Sequence, residues 1–436
     1  MKRRGLRIAI GCIFGVVVLF VVAVLSGLFN QSTVSSQAKS PLTDEQMQSL
    51  LPRGRELALA GDCFGCHSQP QGPRGSGGVA IDTPFGTLHS TNITPDSKYG
   101  IGDYTREDFH RVLRDGVAPG GRNLYPAMPY VFTHITRPDD IDALYAYFMS
   151  IEPIAVANVP NTGVFQFPVR PFMNFWNLLN FPDREPPSKT NASEQWLRGA
   201  YLVQGVGHCA ACHTPQNFMM GTDFSRSLQG GNINGVDVPD ITAANLSRRG
   251  FDVRTLVQYL NTGVSPQGTA YSDMYTVVHF STSQMQTDDV EAIATYLLTG
   301  PDGKIAAPAA PPEPVSVAAT PETGETDQVT GRLTYASACA GCHGAKGEGI
   351  PNVAPAMYGN STLASDSPHN LIKVILEGIP TQVFANGQRM YAMPGFSGEL
   401  SNETIANLAT WLRGQWGGKS TPVTVEQVSN VVQAIE

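Results

Sequence analysis

Cys63-Phe64-Gly65-Cys66-His67, Cys209-Ala210-Ala211-Cys212-His213 and Cys339-Ala340-Gly341-Cys342-His343 are three copies of one pattern in a chain of 436 residues. When the chain begins a helical turn, two cysteines at this spacing face the same side. Each sulfur can then add across one vinyl group of a haem, and the adjacent histidine presents an imidazole nitrogen to the iron. This is the sequence signal for c-type haem attachment. Six of the seven cysteines fall in these pairs, so they are expected as thioethers, not disulfides. A C-x-x-C pair also serves thioredoxin-like redox sites and zinc sites. Three copies, each followed by histidine and later by a methionine loop, favour haem over both.

The surroundings of each motif repeat as well. A short helical segment carrying glycine precedes it: Arg53-Gly54-Arg55-Glu56-Leu57, Arg198-Gly199-Ala200-Tyr201-Leu202 and Gly331-Arg332-Leu333-Thr334-Tyr335. An amphipathic stretch ending in glycine follows, from Phe109 to Gly116, Leu256 to Gly263 and Leu371 to Gly378. Next comes a methionine (Met128, Met274 or Met393), and then a closing helical stretch: Asp139 to Met149, Asp288 to Leu298 and Asn402 to Arg413. Apolar residues recur there at helical spacing. Repetition at this scale is read before anything else. It predicts a mainly α fold of three tandem class I cytochrome c domains, over 45–153, 191–300 and 329–418. A connector at 154–190, a Pro- and Ala-rich extended linker at 301–328 and a short amphipathic tail at 419–436 complete the organisation.

The expected axial pairs are His67 with Met128, His213 with Met274 and His343 with Met393, since a thioether sixth ligand suits a relay iron. Met128 and Met393 each precede proline, which holds the loop extended. Met285 competes with Met274, which is preferred because it follows Gly263 as Met128 follows Gly116. Met357 and Met390 read as packing residues. His89, His110, His134, His208, His279 and His369 repeat at no matching place, so they read as surface or supporting residues; His208 adjoins the second motif and is placed to tune it. An iron with histidine and methionine on both faces has no open position, so it exchanges electrons and does little bond chemistry.

The formal net charge of −8 argues against nucleic acid, whose phosphates need basic patches. At the N-terminus Lys2, Arg3, Arg4 and Arg7 precede an uncharged run from Ile8 to Phe29. As a helix it would reach roughly 33 Å, enough to cross a bilayer core. The segment 1–30 is therefore expected as a transmembrane helix or an export signal. The chain would then lie on the periplasmic side of a bacterial inner membrane, with a retained N-terminus in the cytoplasm. A cleaved signal is the competing reading, with small residues near Ser36 and Ala38. Cys12 reads as a packed residue, because the apolar run follows it where a lipoprotein signal needs it before.

Beyond the haem motifs, several stretches resemble the three-haem cytochrome c subunits of bacterial membrane-bound alcohol, aldehyde, gluconate and fructose dehydrogenases. In the first segment these are Thr83-Pro84-Phe85-Gly86-Thr87, Ser90-Thr91-Asn92-Ile93-Thr94-Pro95-Asp96, Gly100-Ile101-Gly102 and Leu124-Tyr125-Pro126. In the second they are Trp196-Leu197-Arg198-Gly199-Ala200-Tyr201-Leu202-Val203, His208 to Pro215, and Met274 with Val277-Val278-His279-Phe280-Ser281-Thr282. The resemblance covers nearly the whole chain after the apolar run and supports Met274 over Met285. It implies three covalent haems c and a catalytic partner subunit carrying pyrroloquinoline quinone, flavin or a molybdenum cofactor. It also implies transfer of electrons to membrane ubiquinone, with no catalysis by this chain alone. Competing readings are a membrane-tethered carrier feeding a terminal oxidase, module three swinging on its linker, and a peroxidase-like haem enzyme. The connector's Phe165 to Phe181, rich in aromatics, reads either as packing between modules one and two or as a partner or membrane contact.

Overall fold

The computed structural model describes residues 2–28, 36–233, 235–313, 325–384 and 387–435. Helices dominate, and among the described residues every β-sheet is a two-stranded antiparallel ribbon. One element recurs three times: a helix leading into a C-x-x-C-H crosses the helix that closes the same segment, and a glycine sits at the crossing. Helix Asp44–Ala60, started by a Thr43/Gln46 capping box, meets Pro138–Ser150 at Gly54, where a Cβ would collide with the Ala143 carbonyl oxygen. Helix Glu194–Gln204 meets Thr287–Leu298 at Gly199, where a Cβ would strike the Ala292 oxygen. Helix Glu325–Thr334 meets Asn402–Gly417 at Gly331, against the Asn407 oxygen. Only glycine permits such an approach. In the first two pairs the preceding arginine locks the crossing with a two-pronged ion pair: Arg53 to Asp140 at 2.8 and 3.1 Å, and Arg198 to Asp289 at 2.6 and 2.7 Å.

The amphipathic stretches are the helices Arg106–Asp115, Val253–Thr262 and His369–Glu377. Capping boxes start the first two, Thr105 with Asp108 and Asp252 with Thr255. Each helix ends at a glycine with positive φ: Gly116, Gly263 and Gly378, the expected residue where a helix stops.

Contacts divide the chain into two compact units: Met1–Ser188 with Tyr201–Ala211 and Gln216–Thr222, and Lys189–Ala200 with Cys212–Pro215 and Asp223–Glu436. Helix Glu194–Gln204 explains the interleaving. Its first half is bound within the second unit through Arg198 and Gly199. In its second half Tyr201 belongs to the first unit and donates its hydroxyl to Asp140 at 2.7 Å. Three tandem domains are therefore not what the contacts delimit.

The second unit holds a core of Tyr335, Leu371, Ile372, Ile375, Ile405, Leu408, Leu412 and Trp416. The tail helix Val425–Ile435 is anchored in it through Val428 and Val431. The linker expected at 301–328 is tied to this unit over its first part, with Ala306 N–H donating to Leu298 O and Ala309 N–H to Ser247 O, both at 2.8 Å. Its stretch 314–324 lies outside the described residues.

The expected transmembrane helix, and the inner-membrane placement with a cytoplasmic N-terminus that depends on it, are corrected. Among the described residues no helix is long and apolar enough to cross a membrane. The N-terminal helix is Lys2–Leu25 and does not continue to Phe29, because Gly27 turns left-handed at φ 74°. Its uncharged part, from Ile8 to Leu25, reaches about 27 Å, against about 30 Å for a hydrocarbon core. The helix end is fastened instead to the connector: Val24 is buried, and Asn174 Nδ2 donates to Leu25 O at 2.9 Å. Residues 1, 29 and 30 of the expected segment lie outside the described ones.

Candidate functional site

Each C-x-x-C-H sits at the start of a turn, as the chemistry requires. Cys63–His67 is a short helix and Cys209–Ala211 a 3-10 turn. The residue before each, Asp62 and His208, is left-handed at φ 46° and 36°, which re-aims the chain after its entry helix. The third motif differs: the entry helix runs on through a π-turn, Tyr335–Cys339, into Ala340–His343. In all three pairs the first cysteine is half-buried and the second exposed, and all six are free of disulfides. Burial pushes the Cys63 thiol up to about 12 and the Cys339 thiol to about 11, so both stay protonated.

The three histidines share one arrangement. His67 Nδ1 lies 2.6 Å from Thr91 O, His213 Nδ1 2.7 Å from Pro239 O, and His343 Nδ1 2.9 Å from Pro355 O. A carbonyl oxygen only accepts, so each Nδ1 carries the proton and each Nε2 keeps its lone pair. Burial lowers the pKa of all three, that of His213 to about 4, and the carbonyl bonds only partly oppose this. A neutral imidazole with a fixed tautomer is what metal ligation needs. Paired cysteines outside disulfides, beside three such imidazoles, fit haem c. They would hold it through Cys63, Cys66 and His67, through Cys209, Cys212 and His213, and through Cys339, Cys342 and His343.

Nothing in the sequence pattern marked the carbonyls that accept these bonds. Thr91 nevertheless lies in the stretch Ser90 to Asp96, and the structure gives that stretch its role. Asn92, buried, donates Nδ2 to Ile154 O at 2.7 Å and Val156 O at 3.2 Å, and its Oδ1 accepts from Thr94 N at 2.9 Å. The loop that pins His67 is thus stapled to the start of the connector. Pro239 and Pro355 carried no comparable signal.

The three methionines are half-buried, Met128 and Met393 in loops and Met274 in the first turn of a helix. Met393 bridges Ile379 by two backbone bonds of 2.9 and 3.0 Å and packs, like Cys339, on the third segment's core. Met128 O accepts from Tyr130 N at 2.8 Å. Met274 opens the helix Asp273–Phe280 and packs on a cluster of Ala270, Val278, Phe384 and Met390. Met285 is buried, with its sulfur 4.0 Å from the Ser281 hydroxyl. Met357 packs on the third core and Met390 is buried.

Four other histidines are engaged by protein groups. His110 donates Nε2 to Asp142 at 2.8 Å, and His134 Nδ1 donates to Arg114 O at 2.7 Å. His369 Nε2 donates to Gly235 O at 2.8 Å. His208 Nε2 donates at 3.2 Å to Gly61 O, two residues before Cys63.

A surface feature accompanies these sites. The connector helix Phe172–Asn180 turns its polar residues inward: Asn123 Nδ2 donates to Asn174 at 2.8 Å, Tyr130 Oη to Asn177 at 2.6 Å and Asn217 Nδ2 to Asn180 at 2.8 Å. Trp176 is buried, its Nε1 donating to Met219 O at 2.9 Å. Phe172, Phe175, Leu178 and Leu179 face out.

A family model described as "Cytochrome c" matches residues 328–416. The chain is 40% identical over 371 residues to a nicotinate dehydrogenase subunit of Pseudomonas putida, covering 84% of this chain but only 30% of that protein. It is 34% identical over 403 residues to the gluconate 2-dehydrogenase cytochrome c subunit of Pantoea cypripedii, covering 89% of this chain and 90% of the relative. It is also 34% identical over 407 residues to the cytochrome c subunit of alcohol dehydrogenase (quinone) of Komagataeibacter europaeus, covering 88% and 84%.

Proposed function

Because the chain belongs to the cytochrome c subunits of membrane-bound dehydrogenases such as those of gluconate and alcohol, we propose that it relays electrons through three covalent haems c to ubiquinone. It is an electron-transfer subunit of a dehydrogenase complex and not the catalytic subunit. When bound, each haem supplies an iron that changes by one electron. Everything else is the work of the polypeptide. The cysteines of each pair hold the group. His67, His213 and His343, neutral and fixed through Nδ1, present Nε2. Met128 and Met393, in loops, and Met274, in the first turn of a helix, would supply the sixth ligands.

The observation that carries the reading is the threefold recurrence of one device, a histidine after C-x-x-C whose Nδ1 donates to a backbone carbonyl. The quinone in one relative's name supports the acceptor. The electron source is a catalytic subunit bearing pyrroloquinoline quinone, flavin or a molybdenum centre, and it docks on the outward face of Phe172–Asn180. Hydrogen bonds accepted on its inward face by Asn174, Asn177 and Asn180 fix that helix with Phe172, Phe175, Leu178 and Leu179 in solvent, an arrangement that gains by being covered. A carrier feeding an oxidase is not favoured, since the relatives are subunits of dehydrogenase complexes.

The test is the intact mass of the exported protein together with its haem content. Three haem increments are expected, one of which disappears when either Cys63 and Cys66, Cys209 and Cys212, or Cys339 and Cys342 become serine. Fewer than three increments in the wild type would overturn the three-haem relay. Purification from membranes in mild detergent should bring a large dehydrogenase subunit; an oxidase in its place would overturn the partner.

A further inference from the structure

The glycines that end the amphipathic helices of the first two segments are each covered by an aromatic ring, but the rings come from different places. Over Gly116 (φ 67°) lies Tyr130, whose ring atoms would be 2.7 Å from an added Cβ. Tyr130 is the second residue after Met128, and its N–H donates to Met128 O. One segment's own methionine loop therefore caps its own helix. Gly263 (φ 74°) is in the same position in the second segment, and an added Cβ there would run into the ring of Phe384. The second residue after Met274 is Thr276, which has no ring to offer. Phe384 comes instead from the third segment, next to a two-stranded ribbon that pairs Gln382–Val383 with Arg389–Met390. It is buried, with its N–H donating to Gln388 O at 2.8 Å.

The borrowed ring reaches the helix that carries Met274, Asp273–Phe280. Tyr275, next to Met274, stacks edge-on against Phe384 with ring centres 5.3 Å apart. Its hydroxyl donates to Val383 O at 3.0 Å and accepts from Val383 N at 3.3 Å. One turn on, Val278 is fully buried in the same cluster as Phe384, Ala270 and Met390, and Met274 packs against that cluster. Just before Met274, Ser272 is held at φ 53°, a backbone state that persists only where surroundings over-determine it.

We propose that Phe384 is a positioning residue for Met274, so that the second haem site is completed by the third segment. The proposal rests on the reading of Met274 as the second iron's sixth ligand. A bond from a methionine thioether to iron is weak and depends on how rigidly the methionine's backbone is held. Met274 on a helix freed of Phe384 would leave the iron part of the time, which would lower that iron's potential, since methionine ligation favours the reduced form.

The experiment uses the full-length, haem-loaded protein. Absorption in the far-red band of methionine-ligated ferric haem, and a potentiometric titration resolved into its components, are compared for wild type and variants. Phe384→Ala is expected to lose one haem's share of the band and to lower one potential, leaving the other components in place. Phe384→Leu, which keeps most of the volume, is expected to restore both. Gly263→Ala, which leaves Phe384 itself in the sequence but whose Cβ pushes its ring aside, is expected to reproduce the loss. Met274→Ala separates the two levels of the argument. If it removes one share of the band while Phe384→Ala and Gly263→Ala remove none, the positioning role is overturned and the ligand reading stands. If Met274→Ala leaves the band whole, the ligand reading falls and the proposal with it. Should Phe384→Ala fail to accumulate with haem, Gly263→Ala and Tyr275→Phe decide by the same two readouts: an unaltered band and potential in both overturns the proposal.

Discussion

At the scale of single residues, function depends on which atom of a side chain is occupied. Nothing in His67, His213 or His343 as residue types distinguishes Nδ1 from Nε2. The carbonyls of Thr91, Pro239 and Pro355 make the distinction. Met274 and Met285 differ in the same way: one, half-buried in the first turn of a helix, packs beside Phe384, while the other is buried with its sulfur beside Ser281. Met285→Leu should therefore leave the absorption spectrum unaltered and cost less than about 1.5 kcal/mol of stability. A lost methionine–iron band in that variant would reassign the ligand. Asp142 offers a second residue-scale test. Arg106 holds it with two bonds of 2.6 Å and His110 with one of 2.8 Å. Burial alone would raise this carboxyl, but the bonds from His110 and Arg106 outweigh it, and the pKa lies below the usual value. A carboxyl depressed on folding stabilises above its unfolded pKa, and that stability is lost as pH falls through the folded value. Wild type should thus lose this contribution only below about pH 4. Asp142→Asn, which leaves Arg106 and His110 facing a neutral amide, should cost about 3–5 kcal/mol at neutral pH. Urea unfolding at pH 7 and pH 3 measures both, and equal stability of the two proteins at pH 7 would refute the argument.

At the scale of elements, the recurring unit is the glycine crossing. Gly54, Gly199 and Gly331 let a carbonyl of the closing helix approach to a distance no side chain allows. At Gly54 and Gly199 an arginine–aspartate fork sets the rotation of the pair. Gly54→Ala forces two backbones apart and should cost about 1–3 kcal/mol by overpacking. Thermal unfolding reads this, and an unchanged midpoint would show that the crossing has slack. The connector helix is the converse case. Its aromatic content suggested packing or docking, and the structure divides it: Trp176 and three asparagines inward, Phe172, Phe175, Leu178 and Leu179 outward. Replacing those four by serine should release the dehydrogenase subunit during purification while haem content and the melting of this chain stay near wild type. A complex that survives places the contact elsewhere. Serine at Trp176 would instead disturb the fold, since its indole is bonded to Met219 O.

At the scale of the whole molecule, the third haem segment shares one unit with most of the second, and the tail closes its core. Val428 and Val431 of Val425–Ile435 are buried there, each contributing about 1.5–3 kcal/mol. Truncation after Thr424 should lower the melting of the second unit and leave that of the first unchanged. A scan in which both units, or neither, shift would contradict this division. The sequence by itself determined the local patterns: the C-x-x-C-H motifs, the glycine-bearing entry helices and the glycine-ended amphipathic helices. These are patterns within a few residues, where spacing and side-chain type suffice. The length of an apolar run was less informative, because helix Lys2–Leu25 stops where Gly27 turns and where Asn174 receives its end. Only the tertiary structure decided which carbonyl fixes each histidine, which face of the connector is covered and whose aromatic ring lies over Gly263. Each of these depends on groups far apart in the chain, such as Gly263 and Phe384, and no local pattern records that they meet.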